Sequence, residues 1–179
     1  MIDGPLTLTS AKQAPAGRPL DRLDAMLLEM LQADGRATFS EMGARVGLKP
    51  STVHERVKRM EADGVIVRYA ALIDARAVGI GFGAFLTCHV AGAGRDFLKT
   101  VSIMPEVCEV HRVTGEDSFM LRVMAKSAAH LDELVSRIKL APELIRTKTT
   151  VVLATPFERP GFSIPEIVSE HRRTLRSVG

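Results

Sequence analysis

Residues 38–51, TFSEMGARVGLKPS (Thr38–Ser51), hold the end of one helix and the start of another. Thr38 and Glu41 have capping-box spacing, in which the threonine hydroxyl accepts from the Glu41 amide and the glutamate reaches back. The helix they open is short, Phe39 to Val46, and Gly47 ends it. Pro50 suits the first turn of the next helix, where its missing N–H costs nothing, and Asp63-Gly64 closes that helix. Upstream, Leu20, Leu23, Leu27, Met30 and Leu31 recur at helical spacing, with Asp21 and Asp24 loading the first turn and Asp34-Gly35 as the stop. Downstream, Val65 to Ile73 is β-branched and apolar around Arg68 and Tyr69, which predicts a strand or wing. Two helices joined by a glycine turn, one helix before and one strand after, predict a winged helix-turn-helix over residues 20–74. Residues 1–19, with Pro5, Pro15 and Pro19, read as a flexible arm.

The second half repeats itself. Asp96-Phe97-Leu98 begins an amphipathic helix that stops at Pro105-Glu106-Val107, and Asp132-Glu133-Leu134 begins another that stops at Pro142-Glu143-Leu144. Strand-like segments at 83–91, 107–114, 118–125 and 145–153 complete a β-α-β-β-α-β order, the ferredoxin-like arrangement, over residues 83–154 after a linker at 75–82. The fold class expected is therefore α+β. Val110, Leu121, Val123, Val151 and Leu153 read as more apolar surface than one helix layer covers, which calls for oligomerisation. Residues 155–179 read as a proline-punctuated linker and a short helix. Ser163 to Glu166 would be its capping box, with Arg172, Arg173 and Arg176 on a solvated face.

Composition narrows the function. The 179 residues are 46% hydrophobic and 25% charged, an ordinary globular balance. Lys+Arg 24 against Asp+Glu 21 leaves +3, which permits a polyanionic partner without requiring one. Seven Phe, one Tyr and no Trp argue against base stacking on single strands. Cys88 and Cys108 match neither a zinc nor a disulfide pattern and suit a reducing cytoplasm. Ala77 to Gly94 lacks charge but contains five glycines, so it reads as a strand with its approach rather than a membrane span. Gly79-x-Gly81-x-Gly83 precedes a strand, not a helix, and has the wrong spacing for a dinucleotide loop. His54, His89, His111, His130 and His171 form no zinc-protease motif, so the chain reads as no enzyme, with no cofactor or metal.

The third helix carries the most specific chemistry. Val53, Val57 and Met60 fall within about 60° of one another and form its core stripe. Ser51, Glu55 and Lys58 centre the opposite side, flanked by Thr52, His54 and Arg59. Short hydroxyls at the start suit base edges of duplex DNA, while Lys58 and Arg59 a turn or two later suit phosphate. Arg56 sits nearer the core edge, where its head can still reach the backbone. A blander reading has Glu55 pairing with Arg59 along a solvated helix. Residues 20–70 hold eight Lys/Arg and eight Asp/Glu, so one copy binds weakly and several copies are needed.

Leu20-Asp21-x-x-Asp24, Asp34-Gly35-Arg36, Glu41-Met42-x-x-Arg45-Val46-Gly47-Leu48 and Glu55-Arg56-Val57-Lys58-Arg59-Met60-Glu61 resemble the DNA-binding domain of the Lrp/AsnC ("feast/famine") regulators. The second half, including Val113-Thr114-Gly115-Glu116-Asp117-Ser118-Phe119, is similar to that family's ligand-sensing domain. The resemblance spans residues 20–154. It implies a double-stranded DNA-binding transcriptional regulator, with Arg36 and Lys49 joining the third-helix residues at DNA. It implies dimers through the sensing sheet, an octamer, and an amino-acid effector at Thr114, Gly115, Glu116, Asp117 and Ser118. The same turn also reads as an ordinary tight hairpin. The other function class is an amino-acid-sensing protein that binds no DNA. Two positions depart from the family pattern: Ser118 stands where many members place Asp, and Lys49 where they place a Ser cap.

Overall fold

The computed structural model describes residues 19–159, 161, 162 and 164, and the chain divides into two compact units. The first contains α1 (Arg22–Ala33), α2 (Phe39–Val46) and α3 (Pro50–Ala62). Both expected N-termini form: Asp21 and Asp24 make a reciprocal capping box on α1, as Thr38 and Glu41 do on α2. The Thr38 amide and hydroxyl hold the Glu41 carboxyl below its usual range. Gly47 sits at φ 70°, where an L-side chain is strained, and turns the chain from α2 toward α3. Gly43 faces that turn. A Cβ there would lie 2.5 Å from the Leu48 carbonyl oxygen, so only glycine allows this approach. Ala25, Leu27, Leu28, Met42, Val53, Val57 and Met60 make the core.

Two expectations about this unit change. Val65–Ile73 forms no strand, and Val67 and Leu72 are 81% and 80% exposed. A strand needs a partner strand, and none among the described residues pairs with this segment, so the unit is a helix-turn-helix without a wing. Phe162 and Ile164, in the stretch read as a linker and short helix, meet the helices. Ile164 is buried in their core, and the Gln32 amide pairs with both backbone polar groups of Phe162, at 3.2 and 3.0 Å. Residues 1–18, the Ser163–Glu166 box and Arg172, Arg173 and Arg176 lie outside the described residues.

The second unit is β1 (Phe82–Val90), α4 (Arg95–Ser102), β2 (Val107–Arg112), β3 (Phe119–Ala125), α5 (Ala128–Lys139) and β4 (Leu144–Val151). The sheet order β2-β3-β1-β4, antiparallel throughout, is the ferredoxin-like order. Ala84, Leu86, Cys88 and Val90 share one face with Phe119, Leu121, Val123 and Ala125. Phe97 and Val101 from α4 and Leu131, Leu134 and Ile138 from α5 cover that face. α5 begins at Ala128 under a Ser127 cap, a turn earlier than Asp132 implied. α4 starts at Gly94, which offers no side chain. Glu143, itself at φ 64°, supplies the cap by accepting from the Asp96 and Phe97 amides at 3.1 and 3.2 Å.

The register corrects the assignment of the open face. Leu86 opposes Leu121, Ala84 opposes Val123 and Val110 opposes Leu121, so Val110, Leu121 and Val123 point at the helices. The open face is built instead from Phe85, Thr87 and His89 of β1, Met120, Arg122 and Met124 of β3, Glu109 and His111 of β2, and Arg146, Lys148 and Thr150 of β4. It mixes apolar and charged groups, and Arg122 lies 2.6 Å from Glu109, which His111 also meets at 2.9 Å.

Candidate nucleic-acid interface and ligand turn

α3 takes the roll its apolar stripe dictates. Val53, Val57 and Met60 are buried, while Ser51, His54, Glu55 and Lys58 are exposed and Thr52 is half-buried beside them. Lys49 is the N-cap and makes no side-chain cap bond, so its ammonium stands at the N-terminal end of α3 with no capping role. His54 lies against the Phe39 ring of α2, with centroids 5.1 Å apart, which restricts how its imidazole points. Arg36 is exposed in the turn between α1 and α2, where its amide donates to Asp34 at 2.8 Å.

Arg56 and Arg59 do not join that outward row. The Arg56 guanidinium donates to Asp21 at 2.8 Å and Asp24 at 2.7 Å, and Arg59 donates to Asp24 at 2.8 Å. Asp24 is fully buried, and its Oδ2 also accepts from the Asp21 amide. Arg59 therefore pairs with α1, not with Glu55 along its own helix. Its hydrogen bonds to the Asp21 and Asp24 carboxylates raise the Arg56 pKa above its usual value. Partial burial pushes the Asp21 carboxyl up, but the Asp24 amide and the Arg56 guanidinium outweigh it and hold Asp21 below the usual range. Sequence reading noted Asp21 and Asp24 only as first-turn acids. Their partners come from α3, two helices later, which spacing alone does not reveal.

Thr114 to Ser118 form the β2–β3 turn of the second unit. Thr114, Gly115 and Glu116 are exposed, and Asp117 and Ser118 are half-buried. Gly115 sits at φ 109° with nothing near its missing Cβ, so the turn leaves open space there. Ser118 is tied to β1 by its amide, which donates to the Cys88 carbonyl at 2.9 Å, and by its hydroxyl, which accepts from the Val90 amide at 3.3 Å. Two further residues meet the turn. Arg146 of β4 reaches Glu116 at 3.3 Å and Asp117 at 3.4 Å, and His89 of β1 contacts the Glu116 carbonyl through Nδ1 at 2.6 Å. They oppose each other in the β1–β4 register, which the sequence does not print. The turn thus gathers two carboxylates, a guanidinium and an imidazole, groups suited to the ammonium and carboxylate of a zwitterion.

Among the described residues no group of three His, Cys, Asp or Glu is placed to hold a metal, and no helix is long and apolar enough to cross a membrane. Comparison with known proteins matches residues 20–61 to the AsnC-type helix-turn-helix domain and residues 84–162 to the Lrp/AsnC ligand binding domain. The chain is 38% identical over 138 residues to the HTH-type transcriptional regulator LrpA of Mycobacterium tuberculosis, covering 76% of this chain and 91% of that one. It is 33% identical to the HTH-type transcriptional regulator FL11 of Pyrococcus horikoshii, with the same coverage of 76% and 91%. Among solved structures, the feast or famine regulatory protein of M. tuberculosis complexed with L-methionine superposes with a TM-score of 0.75 at 36% identity, covering 80% of this chain and 99% of that one.

Proposed function

The chain belongs to the Lrp/AsnC family of helix-turn-helix transcriptional regulators, and from that premise we propose that it reads duplex DNA with α3 and answers to an amino acid bound at the 114–118 turn. The observation that carries the DNA reading is the roll of α3. Its buried stripe leaves Ser51, Thr52, His54, Glu55 and Lys58 on one accessible side. Ser51, Thr52 and His54 near the helix start meet base edges, while Lys58, Lys49 and Arg36 meet phosphate. The effector reading is supported by the carboxylates of Glu116 and Asp117 facing Arg146 across the turn. A relative solved with L-methionine makes an amino acid the natural ligand class.

The chain acts in the cytoplasm as a dimer through the open sheet face, with dimers gathered into an octamer. Phe85, Met120 and Met124 on that face support this, as does the charge balance of the DNA-binding unit, since a weak single-copy field gains from several copies on one DNA. Mobility shifts at two salt concentrations test the DNA reading. Lys58→Ala weakens binding to every sequence and flattens the salt slope, whereas His54→Ala relaxes preference among sequences. Unchanged affinity in both variants overturns it. Calorimetry with the twenty amino acids tests the turn: the ligand that binds wild type loses affinity in Asp117→Ala.

A further inference from the structure

We infer that Asp24 is a positioning residue for DNA reading, one that withholds Arg56 and Arg59 from phosphate and locks the roll that the apolar stripe of α3 dictates. The inference rests on the DNA reading above. Asp24 is the fully buried charged side chain among the described residues, and its carboxylate is saturated with partners. Oδ1 takes Arg56, and Oδ2 takes both Arg59 and the Asp21 amide. The last bond anchors the carboxylate to the start of α1, so it is a fixed post, not a floating counter-ion.

Arg56 and Arg59 are three residues apart, neighbours on the α3 surface beside the buried stripe. One carboxylate gripping both fixes the rotation of the helix and its position along its axis. The apolar contacts of Val53, Val57 and Met60 are not directional and set neither as sharply. The Lys49 side chain adds no restraint at the other end of α3, where it makes no cap bond. The restraint at Arg56 and Arg59 therefore locks the roll that the apolar stripe of α3 sets. It also removes two guanidinium groups from the field that any phosphate backbone meets, which keeps sequence-independent binding low and leaves discrimination to the outward row.

The test uses the full chain, a duplex selected by wild type from a random library, and an unselected duplex of the same length. Both are titrated over a salt series, well below the circular dichroism melting midpoint of each variant. Asp24→Asn keeps the shape and an acceptor but loses the charge. It is expected to bind the unselected duplex more tightly at low salt, with a log–log slope steeper by about 0.9 for each guanidinium that finds a phosphate. Its preference for the selected duplex falls at least tenfold. Arg59→Gln is expected to reduce that preference while leaving the slope on the unselected duplex at the wild-type value. A merely structural ion pair predicts that both duplexes lose affinity by one common factor with unchanged slopes, which overturns the inference. A flatter slope in Arg59→Gln also overturns it, because Arg59 would then be gripping phosphate. If Asp24→Asn does not fold, the Arg59→Gln slope and preference decide alone. A wild-type chain that enriches no duplex from the library overturns the DNA reading itself, a result distinct from either of these.

Discussion

At the scale of single residues, Lys49 sets stability against binding. Its side chain supplies no acceptor to the first amides of α3 and adds positive charge to the positive end of the helix dipole. Lys49→Ser restores a cap and is expected to stabilise the unit by about 0.5–2 kcal/mol. The same change removes an ammonium from the proposed phosphate contact. The variant should melt higher and bind DNA less tightly, with a log–log salt slope smaller by about 0.9. One melt and one salt titration check both. Equal binding by a more stable variant would remove Lys49 from the interface. Asp24 and Arg59 show the opposite case, in which residues of obvious charge near a binding surface face inward to each other.

Between elements, close approach and charge pairing decide the geometry. The α2–α3 turn depends on Gly43, whose missing Cβ makes room for the Leu48 carbonyl oxygen at 2.5 Å. Backbone cannot swing aside as a flexible side chain can. Gly43→Ala is therefore expected to destabilise the unit by about 1–3 kcal/mol, the usual cost of overpacking, read from the urea midpoint. In the second unit, Arg122 holds the Glu109 carboxyl below its usual 4.5 against partial burial, and His111 adds to this. A depressed folded-state pKa contributes stability that is complete above 4.5 and is lost as pH falls through the lower folded value. Glu109→Gln should thus lose less stability than wild type between pH 5.5 and pH 3, in urea titrations at the two pH values. Glu106 is held low in the same direction. Burial raises it, but its own backbone amide, Arg137 and His130 outweigh that, so some acid sensitivity remains in the variant.

For the whole molecule, the corrected sheet register changes which substitutions test assembly. Leu121 is fully buried beneath the helices, so Leu121→Asp places an unpaired charge in the core and is expected to unfold the unit. Met120 alternates onto the open face beside Thr87 and His111. Met120→Asp should leave the circular dichroism spectrum native while shifting light scattering toward the 19.5 kDa monomer. An unchanged large species in that variant would remove the open face from the assembly.

Much of this protein was legible before any coordinates, for a physical reason that particular residues make plain. The capping box at Thr38/Glu41, the glycine stop at Gly47 and the uncapped Lys49 involve groups at most four residues apart. Their hydrogen bonds are decided within one helical turn, and the apolar period of α3 sets its buried side in the same local way. The β-α-β-β-α-β order followed from the repeat and from the stops at Pro105 and Pro142. What lay beyond reach depended on partners distant in sequence. The segment from Val65 to Ile73 has strand composition but no partner strand among the described residues, so it forms no strand. Which side of β3 meets the helices follows from its register with β1, and alternation alone leaves the two faces equivalent. Arg146 and His89 reach the 114–118 turn because β4 lies beside β1, and Glu143 caps α4 across the same unit. Arg56 and Arg59 turn inward because α1 presents Asp24 to them. Local hydrogen bonding and periodicity wrote the elements into the sequence, whereas the tertiary structure alone chose the partners of Asp24 and Arg146, because Coulombic pairing depends on distance in space and not along the chain.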